Sequence, residues 1–211
     1  MKQADLTRQR LVRAALELFT SQGYHPTTTP QIARKAGIAE GTIYRHFRGK
    51  QQLLNELYRG AARWATKLAK EADGATTPAR AKLSRLGALL VDGAVREPAV
   101  VRLFFFQEHA ALLDEPSRAS AREFRGALEG LVAQGKADGT VRAGGVDALA
   151  AAWLGVLRVA LERVLTRDWG VASAGVGLCQ EAAWDAIRAT TESRAAEPPA
   201  RDSTHPVAPV R

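Results

Sequence analysis

The chain has 211 residues, long enough to bury a sizeable core as one or two domains, and carries a formal charge of +8. That charge is uneven: the first sixty residues hold ten Lys or Arg against four Asp or Glu, and the other 151 hold twenty against eighteen. Salt-dependent attraction to a polyanion is therefore concentrated near the start. One cysteine, Cys179, excludes an intrachain disulfide framework and a cysteine-based zinc site, and no apolar run reaches the roughly eighteen residues of a membrane span.

The opening MKQADLTRQR lacks the apolar stretch of a signal peptide, so a cytoplasmic location is expected. The first predicted helix covers residues 7–21, where Leu11, Ala14, Ala15, Leu18 and Phe19 fall at i, i+3, i+4, i+7 and i+8 on one apolar stripe. Gly23 is placed to end it, and Tyr24 is expected to pack rather than bind.

Residues 27–50, TTTPQIARKAGIAEGTIYRHFRGK, then lay out two short helices around a Gly-containing turn. Thr29 with Pro30 offers a hydroxyl cap followed by proline at the first helical position, where its missing N–H costs nothing. Ile32, Ala33 and Ala36 form a small apolar stripe, and Gly37 can take the positive φ that turns the chain. A second helix restarts near Ala39 or Glu40, with Ile43 and Phe47 on its buried side and Thr42, Tyr44, Arg45 and His46 on the other. This is the sequence form of a helix-turn-helix, whose second helix fits the major groove of DNA.

A longer helix is predicted over 50–71, with Leu53, Leu54, Leu57, Tyr58 and Trp64 on its apolar side. Helical patterns continue over 78–96, 99–113, 116–134, 146–167 and 174–191, separated by turn and breaker residues, with no strand alternation. Residues 193–211, with four prolines and no apolar periodicity, are expected to be a disordered tail. The fold class is all-α: a three-helix DNA-binding domain over 1–50 and a helical bundle over 51–192. No phosphate-loop, HExxH or GxSxG pattern occurs, so neither an enzyme, a metal site nor a cofactor is expected.

Arg13-Ala14-Ala15, Leu18-Phe19, Gly23-Tyr24, Thr28-Thr29, Ile32-Ala33, Ala36-Gly37, Gly41-Thr42-Ile43-Tyr44, His46-Phe47 and Lys50 follow one another in an order that resembles the N-terminal domain of TetR-family (TetR/AcrR-like) transcriptional regulators across residues 6–54. The resemblance implies that Thr28, Thr29, Tyr44, His46 and Lys50 hold the phosphate backbone and that Glu40, Gly41, Thr42 and Arg45 face the bases. Arg45 suits guanine O6 and N7. Glu40 either accepts from a cytosine amino group or favours its helix N-terminus electrostatically, and Gly41 either permits close approach to the duplex or relaxes local packing.

The same resemblance implies a repressor that binds a near-palindromic double-stranded DNA operator as a homodimer and is released by a small-molecule effector. The alternative is a DNA-bound adaptor that recruits a protein and senses nothing small. For the dimer, Leu149, Trp153, Val156, Ala160 and Val164 on one helix and Val176, Cys179, Ala183 and Ile187 on the next form apolar faces, which either pair with a second copy or complete the monomer core. For an effector, Val101, Phe105, His109 and Leu112 share a predicted helical face with Glu108 beside it, which makes either a pocket wall with one polar anchor or a satisfied core histidine. Trp153 and Phe124 carry the same two readings, and the apolar helices suggest a lipophilic effector.

Overall fold

A computed structural model of the chain describes residues 3–74 and 77–190, so the expected tail over 193–211 lies outside the described residues. Helices follow in order: α1 (Gln3–Gln22), α2 (Thr29–Ala36), α3 (Glu40–Ile43), α4 (Lys50–Ala72), α5 (Ala79–Arg96), α6 (Pro98–Phe105), a 3-10 turn (Ala110–Leu112), α7 (Glu115–Ala137), α8 (Val146–Leu165) and α9 (Ala174–Asp185). Among the described residues the only extended pairing is an isolated antiparallel bridge between Val141 and Arg188. No helix among them is long and apolar enough to cross a membrane.

Buried apolar side chains form two clusters that share α4. Leu11, Ala15 and Phe19 of α1 pack with Ile32, Ile43 and Phe47 onto Leu53, Leu54, Leu57 and Ala61 of α4, joined by Leu103 of α6. Further along α4, Ala65, Ala69 and Ala72 enter the body core with Leu86, Leu90, Phe124, Leu131, Trp153, Leu157 and Leu161. Alanine at these positions lets neighbouring helices approach closely. On the next side of α4 the Cζ2–Cη2 edge of the Trp64 ring meets Gly93 of α5, where an added Cβ would come within 2.5 Å of the ring. Lys82 of α5 is buried and bonds Asp73 at 2.6 Å and Gln134 at 2.5 Å, clamping the α4 end to α7; the Lys82 ammonium holds the Asp73 carboxyl below its usual range.

Two predicted helices end early. The helix expected over 99–113 stops at Phe105, because groups beyond it are satisfied by other elements. The Gln107 amide donates to the Phe19 carbonyl at 2.9 Å, the Asn55 and Gln51 amides donate to the Leu112 carbonyl, and Asp114 N–H donates to Asn55 Oδ1 at 2.7 Å. Val101, Phe105, His109 and Leu112 therefore share no helical face. The last helix stops at Asp185, and the following residues pair with the α7–α8 turn, with Arg142 N–H on Ile187 O and Ala189 N–H on Thr140 O.

The expected dimer residues also lie elsewhere. Leu149, Ala160, Cys179, Ala183 and Ile187 are buried in this chain's own core and Val156 packs partly buried against it, so these faces complete the monomer. Their helices turn a different side outward: Ala152, Gly155 and Val159 on α8, Leu178 and Ala182 on α9.

Candidate nucleic-acid interface

The reading pair is held by local backbone chemistry. Thr28, one residue earlier than expected, caps α2: its Oγ1 accepts from Gln31 N–H, while Gln31 Oε1 accepts from Thr28 N–H at 2.8 Å. The Thr28 hydroxyl accepts in this arrangement and keeps its own proton to donate outward. Gly37 closes α2 at φ +66°, and an added Cβ there would also meet the Arg10 guanidinium at 2.6 Å.

Four residues make α3, yet the winding continues through hydrogen bonds from Arg45, His46 and Phe47 N–H to Thr42 and Ile43 carbonyls. Ile43 and Phe47 are buried and fix which way this turn faces. Glu40, Gly41, Tyr44 and Arg45 are thereby exposed, with Thr42 and His46 half-buried. A Cβ at Gly41 would meet nothing within 4 Å, so crowding inside the protein does not demand glycine there. Thr29 Oγ1 lies 3.1 Å from the Tyr44 hydroxyl, tying the start of α2 to the end of α3. Six of the nine expected contact residues thus line one exposed or half-exposed strip, and Thr28 with Thr29 marks its α2 edge.

Lys50 departs from its expected role. Its ammonium donates to the carbonyls of Tyr24 at 3.0 Å, His25 at 2.9 Å and Thr27 at 2.9 Å, and stands 4.4 Å from the centre of the Tyr24 ring. An ammonium has three protons, and all three are used. Lys50 therefore braces the loop that delivers Thr28 to α2, an arrangement in which its protons do not reach a phosphate. Arg34 and Arg48, which the residue patterns did not single out, are exposed and make no ion pair among the described residues. Arg13 and Lys35, by contrast, are drawn to Glu17, and Arg8 to Glu56. The basic run RHFRGK was the available signal for Arg48.

The expected effector residues are dispersed. Phe105 lines a chamber of about 440 Å³ between α4, α6, α7 and α8, together with Tyr58, Phe104, Phe124 and Leu154. Trp153 is buried and borders a separate recess against α5 and α9, and Glu108 is exposed. His109 is buried against the reading head: its Nε2 lies 3.1 Å from Gln107 Oε1, and its ring centre is 6.5 Å from that of Tyr24. Burial, followed by the charge of nearby His25, pushes the His109 pKa down.

Residues 11–57 match the family described as "Bacterial regulatory proteins, tetR family". Over 52 residues the chain is 52% identical to the HTH-type transcriptional regulator SrpR of Pseudomonas putida, covering 25% of this chain and 24% of that protein. It is 40% identical over 57 residues to the HTH-type transcriptional regulator AcrR of Shigella flexneri, covering 27% and 26%. These matches span about a quarter of each curated relative. Beyond them the likeness is one of fold: a TetR family transcription regulator from Marinobacter aquaeolei VT8 superposes with a TM-score of 0.75 at 21% identity, covering 87% of this chain and 96% of that one. Residues 11–57 thus resemble the N-terminal domain of the tetR family of bacterial regulatory proteins, and the described body has the fold of a solved regulator of that family.

Proposed function

We propose that the protein is a sequence-specific DNA-binding transcriptional regulator, a repressor that leaves its operator when a small molecule occupies the body. The carrying observation is the strip on the reading head: Ile43 and Phe47 lock a short helix whose outward side presents Arg45, Tyr44 and Glu40, beside a capped α2 N-terminus suited to a phosphate. Thr28, Thr29, Tyr44 and His46 set register on the backbone, with Arg34 and Arg48 adding charge, and Arg45 with Thr42 and Glu40 reads bases. Lys50 supports this surface from behind.

One such helix covers few base pairs, so the reading includes a homodimer. The outward faces of α8 and α9, with Gly155, Val159 exposed by 48% and Leu178 exposed by 67%, are the surfaces offered to the second copy. The chamber of about 440 Å³ favours sensing over the adaptor alternative, which needs a filled body.

Selection of bound fragments from genomic DNA with the full-length protein tests the proposal. A near-palindromic motif is expected, and Arg45→Ala is expected to relax preference at one position of each half-site by about 1–3 kcal/mol. Absence of an enriched motif would overturn the regulator reading, and an unchanged motif with Arg45→Ala would remove Arg45 from base reading.

A further inference from the structure

We infer that the chamber between α4, α6, α7 and α8 takes a lipophilic aromatic carboxylate, its ring system held among Phe104, Phe105 and Phe124 and its anion met by Arg158 and Arg125. The inference rests on the reading of that chamber as the sensing site.

The aromatic part is geometric. The Phe104, Phe105 and Phe124 rings meet edge to face at centroid separations of 4.9, 5.4 and 5.6 Å, and Tyr58 joins them at 5.4 Å from Phe104. Rings packed on one another in this way present one aromatic wall to the chamber, against which a planar guest makes the same offset and edge contacts that aromatic side chains prefer among themselves. A chamber of about 440 Å³ suits a guest of one or two rings.

The charge preference follows from which polar groups lie beside those rings. The chamber is bordered by Arg125, Arg158, Glu129 and Asp147, and none of the four is in an ion pair among the described residues. They divide into two poles. Asp147 and Arg158 stand eleven residues apart on α8, roughly 16 Å at the rise of a helix, too far to neutralise each other. The phenylalanines belong to the basic pole. The Arg158 guanidinium lies 5.1 Å from the centre of the Phe106 ring, next in the chain to Phe104 and Phe105, and Arg125 directly follows Phe124. Tyr58 adds a hydroxyl with no hydrogen-bond partner among the described residues, and its burial raises the phenol pKa so that it remains a donor. Two guanidiniums and one hydroxyl thus border the aromatic wall without an ion pair or hydrogen bond among the described residues, Arg125 being unpaired even with Glu129 one turn along α7, and a guanidinium is matched best by a planar carboxylate.

The acidic pole has local explanations that need no ligand. Asp147 occupies the first turn of α8, where the helix dipole favours an anion, and Glu129, one turn from Arg125 on α7, makes no ion pair with it.

Titration of the full-length protein with three isosteric probes tests the inference: 2-naphthoate, neutral 2-naphthamide and the cationic 2-naphthylmethylammonium. Naphthoate should bind about tenfold or more tightly than the amide, with the ammonium weakest, and should lower affinity for the selected DNA. Arg158→Gln and Arg125→Gln should each weaken naphthoate by about tenfold while changing amide binding less than about twofold, and Phe124→Ala should weaken both. Thermal melts of each variant check that it is folded. If the amide or ammonium binds as well as naphthoate and Phe124→Ala still abolishes it, the anion preference is overturned and the sensing chamber stands. If none of the three binds to folded protein, the sensing reading of this chamber falls as well.

Discussion

The reading head and the body are both helical, but they close in opposite ways. The head closes around its backbone: Thr28 and Gln31 satisfy each other across the α2 start, Gly37 finishes that helix, and one lysine gathers three carbonyls of the incoming loop. The body closes through side chains and leaves a hollow among its aromatic rings. Under the proposed function, a surface that has to match a duplex benefits from the first arrangement, whereas a region that changes with its guest needs the second. The two meet along α4, and through the segment after α6, where Gln107, His109, Leu112 and Asp114 dock onto α1, Tyr24 and α4.

The sharpest way to break this contrast is to empty the small core of the head. Phe47→Ala removes a side chain 2% exposed and is expected to cost about 3–5 kcal/mol, a loss the head cannot relax into. Operator binding measured by gel shift should vanish while ligand titration of the body persists; simultaneous loss of both would show that head and body are one cooperative unit. A smaller effect separates bracing from phosphate contact. Lys50→Met should destabilise the head by about 1.5–3 kcal/mol and weaken binding to every sequence, yet leave the slope of log affinity against log salt unchanged. A slope reduced by about one ion would return Lys50 to the phosphate-contacting set.

The smallest expected effect lies at the junction. Burial and the charge of His25 depress the His109 pKa, so the folded protein favours the neutral ring. The stability this contributes is complete above the unfolded value of about 6.5 and is lost as pH falls through the lower folded value. Tyr24 and the ammonium of Lys50 above its ring share that environment. Melting temperature followed from about pH 7.5 to about pH 5 should decline, and His109→Gln should flatten that decline. An identical slope in the variant would place the acid sensitivity elsewhere.

What the sequence discloses divides along the same line. The α1 stripe, the α2 stop at Gly37 and the burial of Ile43 with Phe47 depend on neighbours within one or two turns, so periodicity and cap chemistry reveal them. The end of α6 depends on Gln107 meeting Phe19, 88 residues away, and the end of α9 on the pairing of Ile187 with Arg142. No local pattern carries that information. Apolar stripes on α8 and α9 mark a buried face without saying whether it is buried by the same chain, and here the same chain buries it. Lys50 is legible as a cation beside the residues expected to contact DNA, but the destination of its protons is a property of the folded loop. Phe105 lines the chamber, but not as part of the helical face its spacing implies, and Arg125 and Arg158 are not legible because spacing alone does not tell which flank of α7 looks toward α8.

The contact between Trp64 and Gly93 gives the molecule an optical gauge. Of the tryptophans at positions 64, 153, 169 and 184, only the first belongs to the helix that both cores share, and its indole is pressed on a backbone with no intervening side chain. Any tilt of α4 away from α5 parts the edge of that indole from the glycine, so a variant that keeps Trp64 alone would report that contact by its emission without an added label.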